Sequence, residues 1–221
     1  MSVEVDEKPF TVDMPAKPEG AQWSPAFEYV TRVRYQADGR GLLEPAYTHI
    51  FTVPAQGGSA RQLTSGNFQH SSGLSWTPDS TEILFSANRS DNWEYETREA
   101  NIYGVSLEGD IRQITNAPGS ESGPKVSADG RLIAYAKSDD QKLAYRNRYL
   151  HLMNLDGSDD RNLSGDIDNS LTNFQWQGNS GLFYQVTVRG VTEVGYVNLE
   201  GRHSQITQGL GGESLGRPYA S

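Results

Sequence analysis

The chain has 221 residues, a formal net charge of −9, 35% hydrophobic residues and no cysteine. Zero cysteine excludes disulfides, iron–sulfur clusters, thiolate zinc sites and a cysteine nucleophile. The negative charge, with no run of Lys or Arg to override it, argues against nucleic acid as a partner. No stretch approaches the ~20 apolar residues of a membrane helix, so no membrane partner is expected either.

In chain order, residues 1–15 read as an N-terminal strand or extension. Their opening, M-S-V-E-V-D-E-K, is acidic and lacks the apolar segment of a secretion signal. A cysteine-free chain suits cytosol or periplasm and does not choose between them. Repeats begin after this extension. Four segments end in an aliphatic residue followed by Thr or Ser: H-I-F-T-V-P-A-Q-G-G-S-A-R-Q-L-T (49–64), N-I-Y-G-V-S-L-E-G-D-I-R-Q-I-T (101–115), Y-L-H-L-M-N-L-D-G-S-D-D-R-N-L-S (149–164) and E-V-G-Y-V-N-L-E-G-R-H-S-Q-I-T (193–207). Their last residues, Thr64, Thr115, Ser164 and Thr207, are 51, 49 and 43 apart.

A second motif alternates with the first. It is W-T-P-D-S-T-E-I-L-F-S-A at 76–87 and V-S-A-D-G-R-L-I-A-Y-A at 126–136. Weaker forms run over 23–30 (W-S-P-A-F-E-Y-V) and 174–186. Trp76, Val126 and Trp176 are each 50 apart, in phase with the first series. The P-D-S and A-D-G steps are turn chemistry, and D-G-S and E-G-R close hairpins. Ile83-Leu84-Phe85 and Leu132-Ile133-Ala134-Tyr135 are apolar at successive positions, the pattern of strands covered on both faces.

A period of 45–50 residues with four short strands per unit predicts an all-β fold built from β-propeller blades. About four units are expected, at 16–64, 68–115, 119–164 and 168–207, followed by a flexible tail at 208–221. A partial propeller results, either an open arc or a truncated ring. A β-sandwich also has many short strands, but nothing in that architecture demands repeats in phase.

These repeats resemble the TolB-type propeller. More narrowly, Y-Q-A-D-G-R-G (35–41), the 49–64 segment and F-S-A-N-R-S-D-N-W-E-Y-E (85–96) resemble the propeller of prolyl oligopeptidase family serine peptidases of the acylaminoacyl-peptidase-like branch. The resemblance covers roughly residues 9–210. It implies a larger propeller set over an α/β-hydrolase domain that carries a Ser-Asp-His triad. The 221 residues differ in holding about four blades and no hydrolase domain. The expectation is a non-catalytic piece of a longer peptidase, gating peptide access to a hydrolase domain beyond it. The alternatives are a stand-alone TolB-like scaffold for a protein partner and, further off, a propeller lyase or glycosidase. An open arc leaves blade faces uncovered, so self-association is also expected.

Candidate sites are few. Gly212-Glu213-Ser214-Leu215-Gly216 has the G-x-S-x-G form of a nucleophile elbow, yet only five residues follow it, with no Asp or His among them. It reads as tail, and no catalytic residue is expected. His49 and His151 fall in predicted strands and His203 near a turn; with His70 they lack the spacing of a metal site. The acidic run 156–160 lacks the Gly and Glu of an EF-hand. No metal or cofactor is expected. The sharpest local feature is S-D-N-W-E-Y-E-T-R-E (90–99). It resembles the D-W-x-Y-E-E segment of dipeptidyl peptidases, whose paired glutamates hold a substrate's free amine. That resemblance implies substrate-binding roles for Trp93, Tyr95 and Glu96, with Thr97 standing where the second glutamate belongs. A carboxylate beside aromatic faces suits an ammonium group.

Overall fold

The computed structural model describes residues 1–4, 13, 15–24, 29–44, 46–70, 72–141, 143 and 145–212, with residues 2–4 described by backbone alone. The G-x-S-x-G string lies outside the described residues except for Gly212. So does 25–28 of the W-S-P-A-F-E-Y-V segment.

Every regular element among the described residues is a strand. The first unit is assembled from two-stranded pieces. β1 (Ser2–Glu4) pairs with β4 (Ala46–Thr48), β2 (Gln36–Ala37) with β3 (Gly41–Leu42), and β5 (Phe51–Thr52) with β6 (Arg61–Gln62). His49, expected inside a strand, sits with Ile50 in the break between β4 and β5. The next three units are four-stranded antiparallel meanders. They are β7–β10 (Ser72–Trp76, Glu82–Ala87, Asn101–Ser106, Ile111–Gln113), β11–β14 (Ser120–Val126, Leu132–Ser138, Tyr149–Asn154, Arg161–Asn162) and β15–β18 (Leu171–Gln177, Gly181–Val188, Val191–Asn198, His203–Gln205).

The repeated Thr or Ser does the same job in all four units. The hydroxyl oxygens of Thr64, Thr115, Ser164 and Thr207 accept from the amides of Ile50, Ile102, Leu150 and Val194 at 2.9, 2.9, 2.7 and 3.0 Å. The amide of the preceding aliphatic residue donates to the carbonyl of that same partner residue. Each bond pins the outer strand of a blade to its neighbour where the ladder ends. The turn motif is equally regular. Thr77 and Ser127 donate to Asp79 and Asp129 at 2.6 Å, closing the loop between the first and second strands. The Ser127 bond, with the Arg131 side chain beside it, holds Asp129 down to about 2.

The unbroken apolar runs are explained by alternation between two cores. Ile83, Phe85 and Ala87 pack with Ile50 and Leu63 of the first unit. Leu84, on the other face of β8, packs with Ile133, Tyr135 and Met153 of the next blade. Ala134, Leu150 and Leu152 in turn meet Leu182, Tyr184 and Val197 of the last blade. Each middle sheet is thus buried on both faces, as in stacked blades.

The first strand of each blade forms the inner edge of the arc. Ser75 Oγ accepts from Val126 N at 3.2 Å, and Trp176 Nε1 donates to Lys125 O at 2.8 Å. Each of these strands also carries a bulge, at Ser72/Ser75, Ser122/Lys125 and Thr172/Gln175. The bulge residues are Gly73, Gly123 and Asn173, with φ of 68°, 65° and 48°. Gly73 is doubly constrained, since a Cβ there would lie 2.6 Å from the Cα of Gly123.

Candidate functional site

The connections between second and third strands, together with those leading into the next blade, share one face of the arc. In the blade of β7–β10, that connection is the aromatic and acidic segment 88–100. It is folded by its own backbone. The side chain of Asn88 accepts from Ser90 N at 3.1 Å and donates to Glu96 O at 2.8 Å. Asn92 O accepts from the amides of Tyr95 and Glu96 at 2.9 and 3.0 Å.

These turns separate the three residues singled out by the sequence. Trp93 is half-buried and packs edge-on against Tyr47 of the first unit, with ring centroids 6.1 Å apart. It therefore packs on the neighbouring unit. Tyr95 is 77% exposed. Glu96 is half-buried and accepts from Ser90 Oγ at 3.0 Å. Tyr95 and Glu96 line one cavity of about 520 Å³, and Trp93 does not.

The same cavity holds a carboxylate that sequence reasoning missed. Glu99 lines it together with Asp140, which enters from the following blade. Glu99 Oε2 accepts from Gly119 N at 2.8 Å. Among the described residues, neither Glu96 nor Glu99 forms an ion pair. The second carboxylate thus comes three residues after the first, supplied by the turn at 96–99.

Beside this cavity lies another, of about 390 Å³, sharing Thr97 and Arg98 with it. Its walls include Arg146 and Arg148 of the segment joining β12 to β13.

His49 and His70 meet at the seam between the first and second units. Their rings are tilted against each other with centroids 5.2 Å apart, and His70 is 1% exposed. His70 Nδ1 lies 3.3 Å from Thr48 O, which makes it the donor and leaves Nε2 to accept from Arg89. The Arg89 guanidinium lies 4.8 Å from the Phe68 ring centroid. Burial, with Arg89 beside it, lowers His70 to about 4. Burial also lowers His49, followed by the charges of the amino terminus and Arg89.

The next seam uses a different pair at the equivalent place. Glu121, 1% exposed, binds Lys137 Nζ at 2.9 Å. Lys137 also reaches Asp160 at 3.0 Å, and Tyr135 OH donates to Asp160 at 2.7 Å. His151 Nδ1 lies 2.8 Å from the same carboxylate. Asp160, part of the acidic run, is therefore engaged in a seam network. No cluster of three or more His, Asp or Glu fit for a metal occurs among the described residues.

In-phase units, alternating faces and an inner edge of bulged first strands define part of a β-propeller of four-stranded blades. The family model for the dipeptidyl peptidase IV (DPP IV) N-terminal region matches residues 28–141, more than half of the chain, and the chain belongs to that family. It is a propeller region of peptidase-like proteins. Solved structures agree on the fold. A putative TolB from Agrobacterium tumefaciens superposes with a TM-score of 0.58 at 19% identity, over 75% of this chain and 58% of that one. Acylaminoacyl peptidase of Pyrococcus horikoshii gives 0.62 at 14% identity, over 84% and 28%. A puromycin-hydrolyzing peptidase of Mycobacterium tuberculosis gives 0.58 at 14%, over 73% and 27%. The chain thus spans less than two thirds of each. No curated protein matches the sequence.

Proposed function

We propose that residues 1–221 form the non-catalytic propeller portion of a serine exo- or oligopeptidase, and that the loop face narrows access to an α/β-hydrolase domain. The observation that carries the reading is the acidic cavity on that face. Glu96 and Glu99 present two carboxylates without an ion-pair partner among the described residues, beside the exposed ring of Tyr95. Such a site suits the free amine of a peptide, held by charge-assisted hydrogen bonds and the aromatic face. Trp93, edge-on against Tyr47, positions the segment that carries Glu96 rather than touching the amine.

The test is kinetic. In an enzyme carrying these residues beside a hydrolase domain, Glu96→Gln is expected to raise KM for free-amine dipeptide substrates about tenfold, from loss of one charge-assisted bond. N-acetylated substrates should be unaffected. Equal effects on both substrates, or none on either, would remove the amine reading. Residues 1–221 alone should hydrolyse neither.

A second reading has one observation in its favour. The TolB neighbour is covered over 58% of its length, a larger share than either peptidase. On that reading the chain is a scaffold for a protein partner. Recovery of a stoichiometric partner with the tagged protein, and no hydrolase domain in the same gene, would favour it.

The last blade suggests self-association when the chain is alone. Phe183, Val194 and Tyr196 occupy its outward face, with the two aromatic rings 5.4 Å apart. The equivalent residues of the preceding blade, Ala134, Leu150 and Leu152, are covered by the last blade.

A further inference from the structure

The 390 Å³ cavity next to the acidic one has the opposite electrostatic character. Arg98 comes from the segment before β9, while Arg146 and Arg148 come from the segment before β13. Ser120 and Ser138, at the start of β11 and the end of β12, also line it. Asp139 also lines the cavity, but it is engaged by Arg146. Among the described residues, Arg98 and Arg148 have no carboxylate within ion-pair distance. Three guanidinium groups against one carboxylate is a local excess of positive charge on a chain whose net charge is −9.

A guanidinium offers a rigid fork of donors that matches a carboxylate in plane and spacing. Two such forks lining one cleft, together with Ser120 and Ser138, offer a receptor for one carboxylate. We infer that this cleft is a carboxylate-binding subsite, in which Arg98 and Arg148 clamp an acidic side chain or a terminal carboxyl group of a peptide. Because Thr97 and Arg98 belong to both cavities, an amine-binding and a carboxylate-binding pocket lie side by side on one face. Peptides carrying both charges would be oriented along the seam between the two blades. That the carboxylate belongs to a peptide rests on the peptidase reading above; that the cleft takes a carboxylate rests on its own residues.

The test uses residues 1–221 and amine-blocked ligands, so that the Glu96 pocket takes no part. Three peptides are titrated by NMR: N-acetyl-Gly-Glu-amide, N-acetyl-Gly-Gly-Gly with a free carboxyl, and the neutral N-acetyl-Gly-Gln-amide. One or both acids should bind saturably and the neutral peptide should not; the tighter acid identifies the source of the carboxylate. Arg148→Ala should weaken the acid about tenfold, as expected for one lost charge-assisted contact. Arg98→Ala should do the same. Equal binding of the neutral peptide, no saturable binding of either acid, or unchanged affinity in both arginine variants would overturn the inference. Failure of the amine reading would instead appear only with free-amine substrates.

Discussion

Two residues at equivalent places do equivalent work by different chemistry. The amides of His70 and Glu121 each donate to a carbonyl of the preceding blade at 2.8 Å, and each side chain holds a cation, Arg89 or Lys137. His70 accepts from Arg89 only while its imidazole is neutral. Its folded value of about 4 lies below the unfolded 6.5. The unfolded chain therefore binds the proton first. The stability that neutral His70 confers is complete above about pH 6.5 and is lost as pH falls toward 4. Denaturation followed from pH 7 to 4 should show this loss. His70→Gln, which can still accept from Arg89 but does not titrate, should flatten that part of the profile. An unchanged slope in the variant would assign the pH dependence to other groups.

The residue scale is also where the sequence was least explicit. Thr64, Thr115, Ser164 and Thr207 were visible because a local motif repeats around each of them. Glu99 was not, because its entry into the cavity depends on the turn that Asn88 and Asn92 impose on 88–99. Arg148 was hidden for a stronger reason. It shares a cavity with Arg98 only because blades stack, and a separation of fifty residues leaves no local trace. The bond from His70 N to Thr48 O joins two units in the same way.

Among the elements, the second strands of the blades are the core of the assembly. Leu84 is fully buried between the sheets of β8 and β12. Leu84→Ala should destabilise the protein by about 2–5 kcal/mol, because a seam between stacked sheets cannot readily collapse around a cavity. Chemical denaturation would measure it. Alternation of faces along these strands was legible from their continuous apolar runs. The bulges in the first strands were not. Gly73 and Gly123 are 50 residues apart, but Asn takes the third place, and a register shift is defined only against a partner strand. The two glycines should respond unequally. Gly123→Ala meets little more than the Phe174 ring at 3.9 Å, so it carries mainly the cost of positive φ, about 1–2 kcal/mol. Gly73→Ala has that cost plus a backbone clash at 2.6 Å and should be the more damaging change. Equal losses would mean that the inner strands are not as closely set as described.

For the whole molecule, the arrangement is an arc whose interior blades are buried on both faces and whose last blade has a partly exposed outward face. Phe183 and Tyr196 on that face should make the isolated chain associate. Sedimentation of residues 1–221 is expected to show a concentration-dependent oligomer, and Phe183→Glu with Tyr196→Glu should shift it to monomer. A monomer at all concentrations would contradict that expectation.

The most direct test of the central claim, that this arc belongs to a serine peptidase, is to read the source gene past the codon for Ser221. The account predicts a frame that continues through further blades into a hydrolase domain, with a G-x-S-x-G elbow followed by Asp and then His. A stop codon directly after Ser221, or a continuation without those residues, would contradict it and leave the scaffold reading in its place.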